Sequence, residues 1–356
     1  GMDFVALETI RCLQRLDTEN EYFILVGDGP DPCLEETPNV HILTLRCPSY
    51  PLWEQWALPR AVARIRPDLL HCTSNTAPVW GSTPLVVTLH DIIFLEKQAA
   101  RNRSLYQSLG RQYRRLVVPR ILPKCRKIIT VSQFECDRIR TALGLAPERI
   151  TAIHNGYNTR FRPMDDTTEV TKRYLPDPEY LFFLGNTDPK KNTPGTLRAY
   201  AEYVRRSAHP LPLLIADLTP EAAKSILQRI GAPDLENMLR LPGYIPNGDL
   251  PAVYNGASAF LYTSLRESFG IPQLEAMACG TPVVTSNTSA IPEVAGPGAI
   301  LVDPTSPTAI ADALLRLETD PAFRAEQVAY GLERVKLFSW EQTARQLLAL
   351  YESLGR

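Results

Sequence analysis

Two glutamates, Glu267 and Glu275, stand eight residues apart in the segment RESFGIPQLEAMACGTPVV. Pro272 suits the first position of a helix that begins between them, and Gly280 suits the position after that helix ends. The first-turn amides of such a helix have no backbone partners, so they can bind a phosphate. Carboxylates do not bind phosphate, but they accept hydrogen bonds from sugar hydroxyls. The pattern therefore predicts a site for a molecule with a sugar on each side of a diphosphate.

The two glutamates could instead be ordinary acidic residues near the positive end of a helix, with no binding role. The elements around them are therefore needed to interpret the pattern. Short apolar runs alternate with helical patterns, which is typical of strands buried on both faces of parallel sheets. The runs lie at 21–27, 68–74, 84–91, 127–132, 180–185, 211–217, 259–264 and 281–286. Proline and turn-forming residues interrupt the series at 155–179. The sequence therefore predicts an α/β protein with two Rossmann-like domains facing across a cleft, where ligands bind outside the carboxyl ends of the strands.

The composition excludes several classes of protein. The formal net charge is -1, so the overall charge does not favour a nucleic acid partner. Seven cysteines without a C-x-x-C spacing favour a reducing, cytoplasmic setting and no zinc site. No apolar run reaches the length of a membrane-spanning helix. No G-x-G-x-x-G follows a strand, as it does in NAD enzymes, and no G-x-S-x-G indicates a serine hydrolase.

The segment LYTSLRESFGIPQLEAMACGTPVVTSNTSAIPEVAG, residues 261–296, resembles the signature region of glycosyltransferase family 4, the retaining enzymes of GT-B fold. LFFLGNTDPKKNTPGTLRAY and RLPGYIPNGDLPAVYNGASAFLYTS resemble the family's strand-and-loop and base-binding segments. VVTLHDIIFLE and IITVSQFECDRI resemble segments of its N-terminal domain. FSWEQTARQLLALYESL resembles the closing helix that crosses back onto that domain. The resemblance covers most of the chain, and it is strongest to mannosyltransferase-like group 1 enzymes.

The resemblance implies four segments: an acceptor-side domain at 1–160, a linker at 161–178, a nucleotide-sugar-binding domain at 179–338 and a C-terminal helix at 339–356. It implies transfer of a hexose, with retention and without a metal or other cofactor, from a GDP-mannose or UDP-glucose type of donor. The implied acceptor is a glycan or a polyprenyl-diphosphate-linked glycan of surface-polysaccharide biosynthesis. The absence of a D-x-D motif agrees with metal-independent chemistry.

Three other functions compete with transfer. A sugar-nucleotide epimerase of the same fold would use the same diphosphate site without an acceptor sugar. An inactive homologue would bind the nucleotide sugar and never turn it over. A glycoside hydrolase needs two carboxylates that face each other across the scissile bond, which a loop followed by a helix turn supports poorly.

The resemblance also assigns roles to individual residues. Glu267 would position the hydroxyls of the donor sugar, and Glu275 would bind the nucleotide ribose. Lys191 would neutralise the departing diphosphate, and His90 would contact the transferring sugar or the acceptor from the other domain. The remaining donor-binding residues would be Gly185, Asn186, Lys190, Asn192, Tyr244, Ile245, Ser268, Phe269, Gly270 and Ile271, and the acceptor side would include Asp91 and Ser132. Asn186 stands where the family often has an arginine, so one positive charge is missing from this site.

A basic stretch predicts where an acceptor or a membrane could bind. Residues 97–134 carry ten Lys or Arg and no Asp or Glu. At about 100° per residue, a helix here separates two faces. The apolar face holds Leu105, Leu109, Tyr113 and Leu116, and the basic face holds Arg103, Arg111, Arg114 and Arg115. Two interpretations stay open: a surface for anionic lipid or a lipid diphosphate, which would make the protein peripheral at the inner face of a membrane, or a core-packed helix with a solvated basic face.

The chain opens with GMDFVALETIRCLQRL, which is already helical in pattern. The family usually begins with a strand and a glycine-rich loop that approaches the donor phosphates. We therefore expect either that the protein extends upstream, or that Gly1 is an expression remnant before a start at Met2. If the strand is truly absent, we expect weak or no transferase activity, or compensation by a partner chain.

Overall fold

The computed structural model describes residues 2–29, 33–95, 105–296 and 299–355. These residues form two compact units. The first extends to Gly156 and resumes at Trp340, and the second contains Tyr157–Ser339. The segment 161–178, which the sequence suggests as a linker, lies within the second unit and contains a short helix.

All strands of the two units pair in parallel. The first unit contains β1 (Tyr22–Val26), β2 (Val40–Thr44), β3 (Leu70–Cys72), β4 (Leu85–Thr88), β5 (Cys125–Thr130) and β6 (Ile150–Ala152). The second contains β7 (Leu181–Leu184), β8 (Leu213–Ala216), β9 (Leu239–Gly243), β10 (Ala259–Tyr262), β11 (Val283–Ser286) and β12 (Ile300–Val302).

The helices follow the strands in alternation, as the sequence predicts. In the first unit they are α1 (Met2–Leu16), α2 (Tyr50–Leu52), α3 (Leu58–Ile65), α4 (Leu105–Ile121) and α5 (Gln133–Leu143). In the second they are α6 (Thr168–Thr171), α7 (Thr193–Arg206), α8 (Pro220–Ile230), α9 (Leu250–Gly256), α10 (Ile271–Ala278), α11 (Ile291–Ala295), α12 (Pro307–Thr319) and α13 (Pro321–Arg334). The last helix, α14 (Trp340–Leu354), returns to the first unit.

The second unit is built on one six-stranded sheet with the order β12-β11-β10-β7-β8-β9. The chain proceeds outward from β7 to β9 on one side and from β10 to β12 on the other, so the direction of winding changes between β7 and β10. Fully buried residues of the inner strands, such as Phe183 and Leu261, pack against Leu197 of α7 and Leu314 of α12. Ligands of doubly wound sheets bind where the strand order reverses, at the carboxyl ends of the strands.

The first unit contains a four-stranded sheet, β3-β4-β5-β6, and a separate β1-β2 pair. Helix α14 packs beside α1, where the Phe4 and Trp340 rings meet edge to face at 5.9 Å. The Thr343 hydroxyl donates a hydrogen bond to the His154 carbonyl at 2.6 Å. The Tyr351 hydroxyl lies 2.5 Å from Nδ1 of His71 in β3. These contacts attach the end of the chain to the body of the first unit.

Helix α4 is oriented differently from the core-packed interpretation of its two faces. Leu109 and Leu116 are 69% and 57% exposed, while Val118 and Ile121 are fully buried. The Nε–H groups of Arg111 and Arg115 both donate to the Phe94 carbonyl, at 3.0 and 2.9 Å. The prediction of a core-packed leucine face with a solvated basic face is therefore wrong for the described residues. Arg103 and the side chain of Leu105 lie outside them.

Candidate active site

The loop between β10 and α10 turns at Gly270, which has a left-handed φ of 107°. A Cβ atom here would lie 2.7 Å from Nε2 of Gln273, so only glycine fits. Pro272 occupies the first turn of α10, and Gly280 follows the helix with a φ of 77°. The eight-residue length of the helix, the proline in its first turn and the glycine after its end match the sequence prediction. Its first-turn amides therefore begin at the carboxyl edge of the sheet.

Lys191 and Glu267 form an ion pair at this edge, with Nζ 2.8 Å from Oε1. Lys191 lies after β7 and Glu267 after β10, and these two strands are neighbours in the sheet. Both side chains are largely buried, at 19% and 14% exposure. The structure thus brings together the two residues to which the sequence assigns the diphosphate and the donor sugar.

Hydrogen bonds connect the loop after β7 with the loop after β10. The Leu265 amide donates to the Lys190 carbonyl at 2.7 Å. The Asn192 side-chain amide donates to the carbonyls of Thr263 and Pro304, at 3.1 and 2.7 Å. The Glu267 amide donates to the Ser289 hydroxyl at 3.1 Å. Asn192 therefore braces the loops, and Ser289, which sequence reasoning missed, positions the backbone of Glu267.

Lys190 and Asn186 have local partners in the turn after β7. Lys190 is exposed, and its ammonium lies 4.0 Å from the Asp188 carboxylate, whereas the ion pair of Glu267 is with Lys191. The Asp188 amide donates to Oδ1 of Asn186 at 2.9 Å. The Asn186 carbonyl accepts from the Thr193 hydroxyl at 2.6 Å. The side chain of Asn186 thus shapes the turn that carries Lys191.

The other predicted donor-binding residues follow the ends of β7, β9 and β10. A Cβ atom on Gly185 would lie 2.4 Å from Cε1 of Phe183, which explains the glycine there. Tyr244 is 69% exposed, whereas Ile245 is buried. Phe269 is buried and packs edge to face on Phe338 at 5.9 Å. Ile271 follows Gly270 as the first residue of α10, and Ser268 precedes Phe269 in the same loop.

Glu275 lies one turn inside α10, where burial raises the pKa of its carboxyl to about 7. The Tyr254 hydroxyl donates to Oε2 at 3.4 Å, and the charge of Arg160 acts in the opposite direction to burial by lowering the pKa. Near neutral pH, the empty site therefore holds a mixture of protonated and ionised Glu275. Only the ionised form accepts hydrogen bonds with both oxygens.

We expect donor affinity to depend on this proton. Hydroxyl donors of a ribose favour the carboxylate, so binding below pH 7 releases a proton. With a pKa of about 7, a nucleoside diphosphate sugar should bind about tenfold more weakly at pH 6 than at pH 8. Calorimetric titration across this range measures the change, and Glu275→Gln should abolish it. An unchanged pH profile in that variant would remove Glu275 from ribose binding.

Asp217 is a further carboxylate at this edge to which sequence reasoning gave no role. It follows β8 directly, its φ is 62°, and its amide donates to the Gly243 carbonyl at 2.9 Å. Partial burial raises the pKa of its carboxyl, and the charge of Lys191 acts in the opposite direction. A strand that ends in a single aspartate is the one signal that the sequence offered.

In the first unit, His90 is 7% exposed and lines a cavity of about 60 Å³ together with His71 and Asn155. Its Nε2 lies 2.9 Å from the Thr73 carbonyl, which can only accept a hydrogen bond, so Nε2 carries a proton. Its amide donates to Oδ1 of Asn75 at 2.7 Å. Burial lowers the pKa of His90. The hydrogen bond to Thr73 and the charge of Asp91 act in the opposite direction to burial by raising that pKa, and the contact of His90 with a sugar stays a prediction.

The two residues predicted on the acceptor side have structural partners. Oδ1 of Asp91 accepts from the Ile93 amide at 3.0 Å. Ser132 is fully buried, and its hydroxyl accepts from the Glu135 amide at 3.2 Å as the N-cap of α5. Ser132 therefore stabilises a helix start in this conformation, and its part in acceptor binding is still a prediction.

Solved structures share this architecture over nearly the whole chain. A sucrose-phosphate synthase from Thermosynechococcus elongatus matches with a TM-score of 0.76 at 24% identity, covering 99% of this chain and 93% of its own. An Anabaena protein in complex with UDP and glucose matches with a TM-score of 0.75 at 19% identity, covering 99% and 96%. The fold is the GT-B fold of glycosyltransferases, as the sequence predicts.

Family comparisons cover both units. The model described as Glycosyltransferase Family 4 matches residues 1–161, and the model described as Glycosyl transferases group 1 matches residues 166–334. The chain belongs to the glycosyltransferases that these two models together describe. An O-antigen chain mannosyltransferase B of Escherichia coli is 32% identical over 236 residues, which are 65% of this chain and 62% of that protein. The chain thus spans less than two thirds of that relative.

Two features are absent from the part of the chain that the structure describes. None of their helices has both the length and the apolar character needed to cross a membrane. In the same part of the chain, no three His, Cys, Asp or Glu residues are grouped so that they could hold a metal ion.

Proposed function

We propose that this chain is a retaining hexosyltransferase that uses a nucleoside diphosphate sugar as donor and a glycan or lipid-linked glycan as acceptor. The observation that carries the proposal is the Lys191–Glu267 pair, with Nζ and Oε1 2.8 Å apart at the start of α10. A cation, a carboxylate and free helix amides at one sheet edge match a diphosphate joined to a sugar. Membership of the glycosyltransferase family supports the same chemistry.

The pair acts by exchanging partners when the donor binds. Lys191 moves from Glu267 to the diphosphate, and the amides at the start of α10 bind the same phosphate oxygens. Glu267 then accepts hydrogen bonds from the donor sugar hydroxyls, while Glu275 accepts them from the ribose. The site therefore holds the two sugars by carboxylates and the charge between them by a lysine and backbone amides.

The transfer step needs no protein base. The bond between the anomeric carbon and the phosphate oxygen breaks, and its electron pair goes to the phosphate. The acceptor oxygen attacks the anomeric carbon on the same face, which retains the configuration, and its proton goes to the departing phosphate oxygen. Lys191 and the helix amides stabilise the charge that develops on the diphosphate, so the step requires no bound metal.

The donor is GDP-mannose, with UDP-glucose as the second candidate. The name of the E. coli mannosyltransferase supports the first. The structure of the Anabaena protein with UDP and glucose supports the second.

A thermal-shift series with nucleotide sugars tests the function. At 100 times its dissociation constant, a true donor should stabilise the protein by about 2.7 kcal/mol. Transfer of label from the stabilising donor to an acceptor then distinguishes a transferase from an epimerase or an inactive homologue. If no nucleotide or nucleotide sugar raises the melting temperature, the proposal is wrong.

We also propose that α4 and the residues after it rest on an anionic membrane surface. Exposed Leu109 and Leu116 provide apolar contacts, and Trp80 is 75% exposed. Arg120 and Lys124 are exposed beside them in sequence, and the Lys124 ammonium lies 5.6 Å from the Trp80 ring centre. Leucine, tryptophan and basic side chains together favour the headgroup region of anionic bilayers.

Vesicle flotation at low salt tests this surface. We expect the protein to float with vesicles that contain about a third anionic lipid, and Leu109→Ser/Leu116→Ser to lose most of that binding. Leu337→Ser is the matched control, because Leu337 is equally exposed, at 58%, but belongs to the second unit. Binding that is absent in the unchanged protein, or equal in the double variant and the control, would contradict the membrane surface.

A further inference from the structure

Asp217 lies at the carboxyl edge of the sheet, between the segments proposed to bind phosphate and base. Its strand, β8, has β7 on one side and β9 on the other. The Gly185 amide donates to the Ala216 carbonyl at 3.2 Å, and the Asp217 amide donates to the Gly243 carbonyl at 2.9 Å. Because neighbouring strands are about 5 Å apart, the backbone of Asp217 lies one strand spacing from Gly243, the residue before Tyr244.

The backbone of Asp217 is in the left-handed region, which L-residues rarely adopt. Five described residues other than glycine share this conformation: Arg66, Asn75, Asn192, Asp217 and Ser289. Asn192, Asp217 and Ser289 lie in loops of the candidate active site. The side chains of Asn192 and Ser289 make hydrogen bonds within the protein, Asn192 to the Thr263 and Pro304 carbonyls and Ser289 to the Glu267 amide. Strained backbone concentrates at binding sites, where it directs a side chain.

The Asp217 side chain has no such internal task. In the part of the chain that the structure describes, no hydrogen bond and no ion pair within 4.0 Å involves its carboxylate. Two ordinary explanations of a left-handed residue do not apply here. The residue is not a glycine, which adopts this backbone without strain, and its side chain makes no hydrogen bond to the described backbone around it. The charge of Lys191 acts on the carboxylate from beyond the 4.0 Å of an ion pair. Asp217 is exposed and lies one strand away from the segment that leads into Tyr244, so its carboxylate is available to a ligand.

We propose that Asp217 contacts the base of the donor nucleotide and selects guanine over uracil. A carboxylate accepts two parallel hydrogen bonds. Guanine offers two adjacent donors, N1–H and the N2 amino group, on one edge. Uracil offers a single N3–H between two carbonyl oxygens, which a carboxylate repels. The inference rests on the proposed function and narrows its donor to a guanosine diphosphate sugar.

Calorimetric titration with GDP and UDP tests the inference in the full chain. We expect GDP to bind at least tenfold more tightly than UDP. A site built to accept two hydrogen bonds rejects a base that cannot donate both, because its acceptors are then left unpaired. Asp217→Asn should weaken GDP at least tenfold, because its amide N–H₂ meets the donors of guanine. The same variant should leave UDP unchanged or tighten it, because an amide complements the N–H and carbonyl of uracil.

Two further variants separate possible outcomes. Asp217→Gly keeps the backbone conformation and removes the carboxylate, so it should weaken GDP without favouring UDP. Lys191→Ala should weaken both nucleotides equally through the diphosphate. Tighter UDP than GDP in the unchanged protein, or equal GDP binding in Asp217→Asn, would overturn base selection while leaving the transferase intact. If the unchanged protein binds neither nucleotide, both the proposed function and base selection are wrong.

Discussion

Glu267→Gln is expected to lower the rate of sugar transfer by about a hundredfold while changing donor affinity less than threefold. The amide keeps the shape of the side chain but loses the charge that holds the sugar hydroxyls as the anomeric carbon becomes positive. In the unchanged protein, Lys191 must leave Glu267, 2.8 Å away, before it binds the diphosphate. The variant removes that competition, so donor binding is maintained or slightly tighter.

The measurement is kcat with labelled donor, together with the donor Kd from titration. Glu326→Gln is the control, because Glu326 is an exposed glutamate in the middle of α13, away from the strand ends. A variant that keeps its full kcat would show that Glu267 takes no part in transfer. A loss of donor affinity with kcat unchanged would make Glu267 a binding group only.

Lys191→Ala should weaken donor binding about a hundredfold, since the charge-assisted contacts of a buried lysine with a diphosphate are worth a few kcal/mol. Lys190→Ala, one residue away, should change binding less than threefold because that exposed ammonium is directed at Asp188. The two adjacent lysines therefore form a matched pair for titration with the same nucleotide sugar. Equal effects of the two substitutions would refute the assignment of the diphosphate to Lys191.

Lys191→Ala should also destabilise the second unit. It leaves the carboxylate of Glu267, only 14% exposed, without its cation. Removing one member of such a pair costs about 1 to 3 kcal/mol of unfolding free energy. Lys191→Ala/Glu267→Gln should recover part of that loss, because the second change removes the unpaired charge. Urea unfolding of the single and double variants measures the difference.

The sequence predicted the local geometry around α10 because the residues that form it come in ordered local motifs. The start of α10, its glycine and its proline are fixed by short-range backbone rules. The meeting of Lys191 and Glu267 follows once both are placed after strands of a parallel sheet. Four strands, β2, β6, β9 and β12, did not stand out. All four lie at the edge of a sheet and are only partly buried, and β9 also contains a proline and a glycine.

Other features depend on tertiary contacts that periodicity does not contain. The core-packed interpretation of α4 is wrong because a helical projection assigns leucines to the core, whereas the Arg111 and Arg115 side chains donate to the Phe94 carbonyl. Ser132 follows a strand, as a site residue would, but it caps the next helix. Asp217 escaped notice because a single carboxylate after a strand matches no motif. Its significance comes from its left-handed backbone and its neighbours in the sheet.

The placement of α14 has a consequence for how the protein is made. The first unit is assembled from both ends of the chain, since Phe4 meets Trp340 and His71 meets Tyr351. During synthesis, the second unit leaves the ribosome complete while the first still lacks its final helix, and domains generally fold as units. The second unit can therefore fold first, and α14, which is translated after it, completes the unit that was started first.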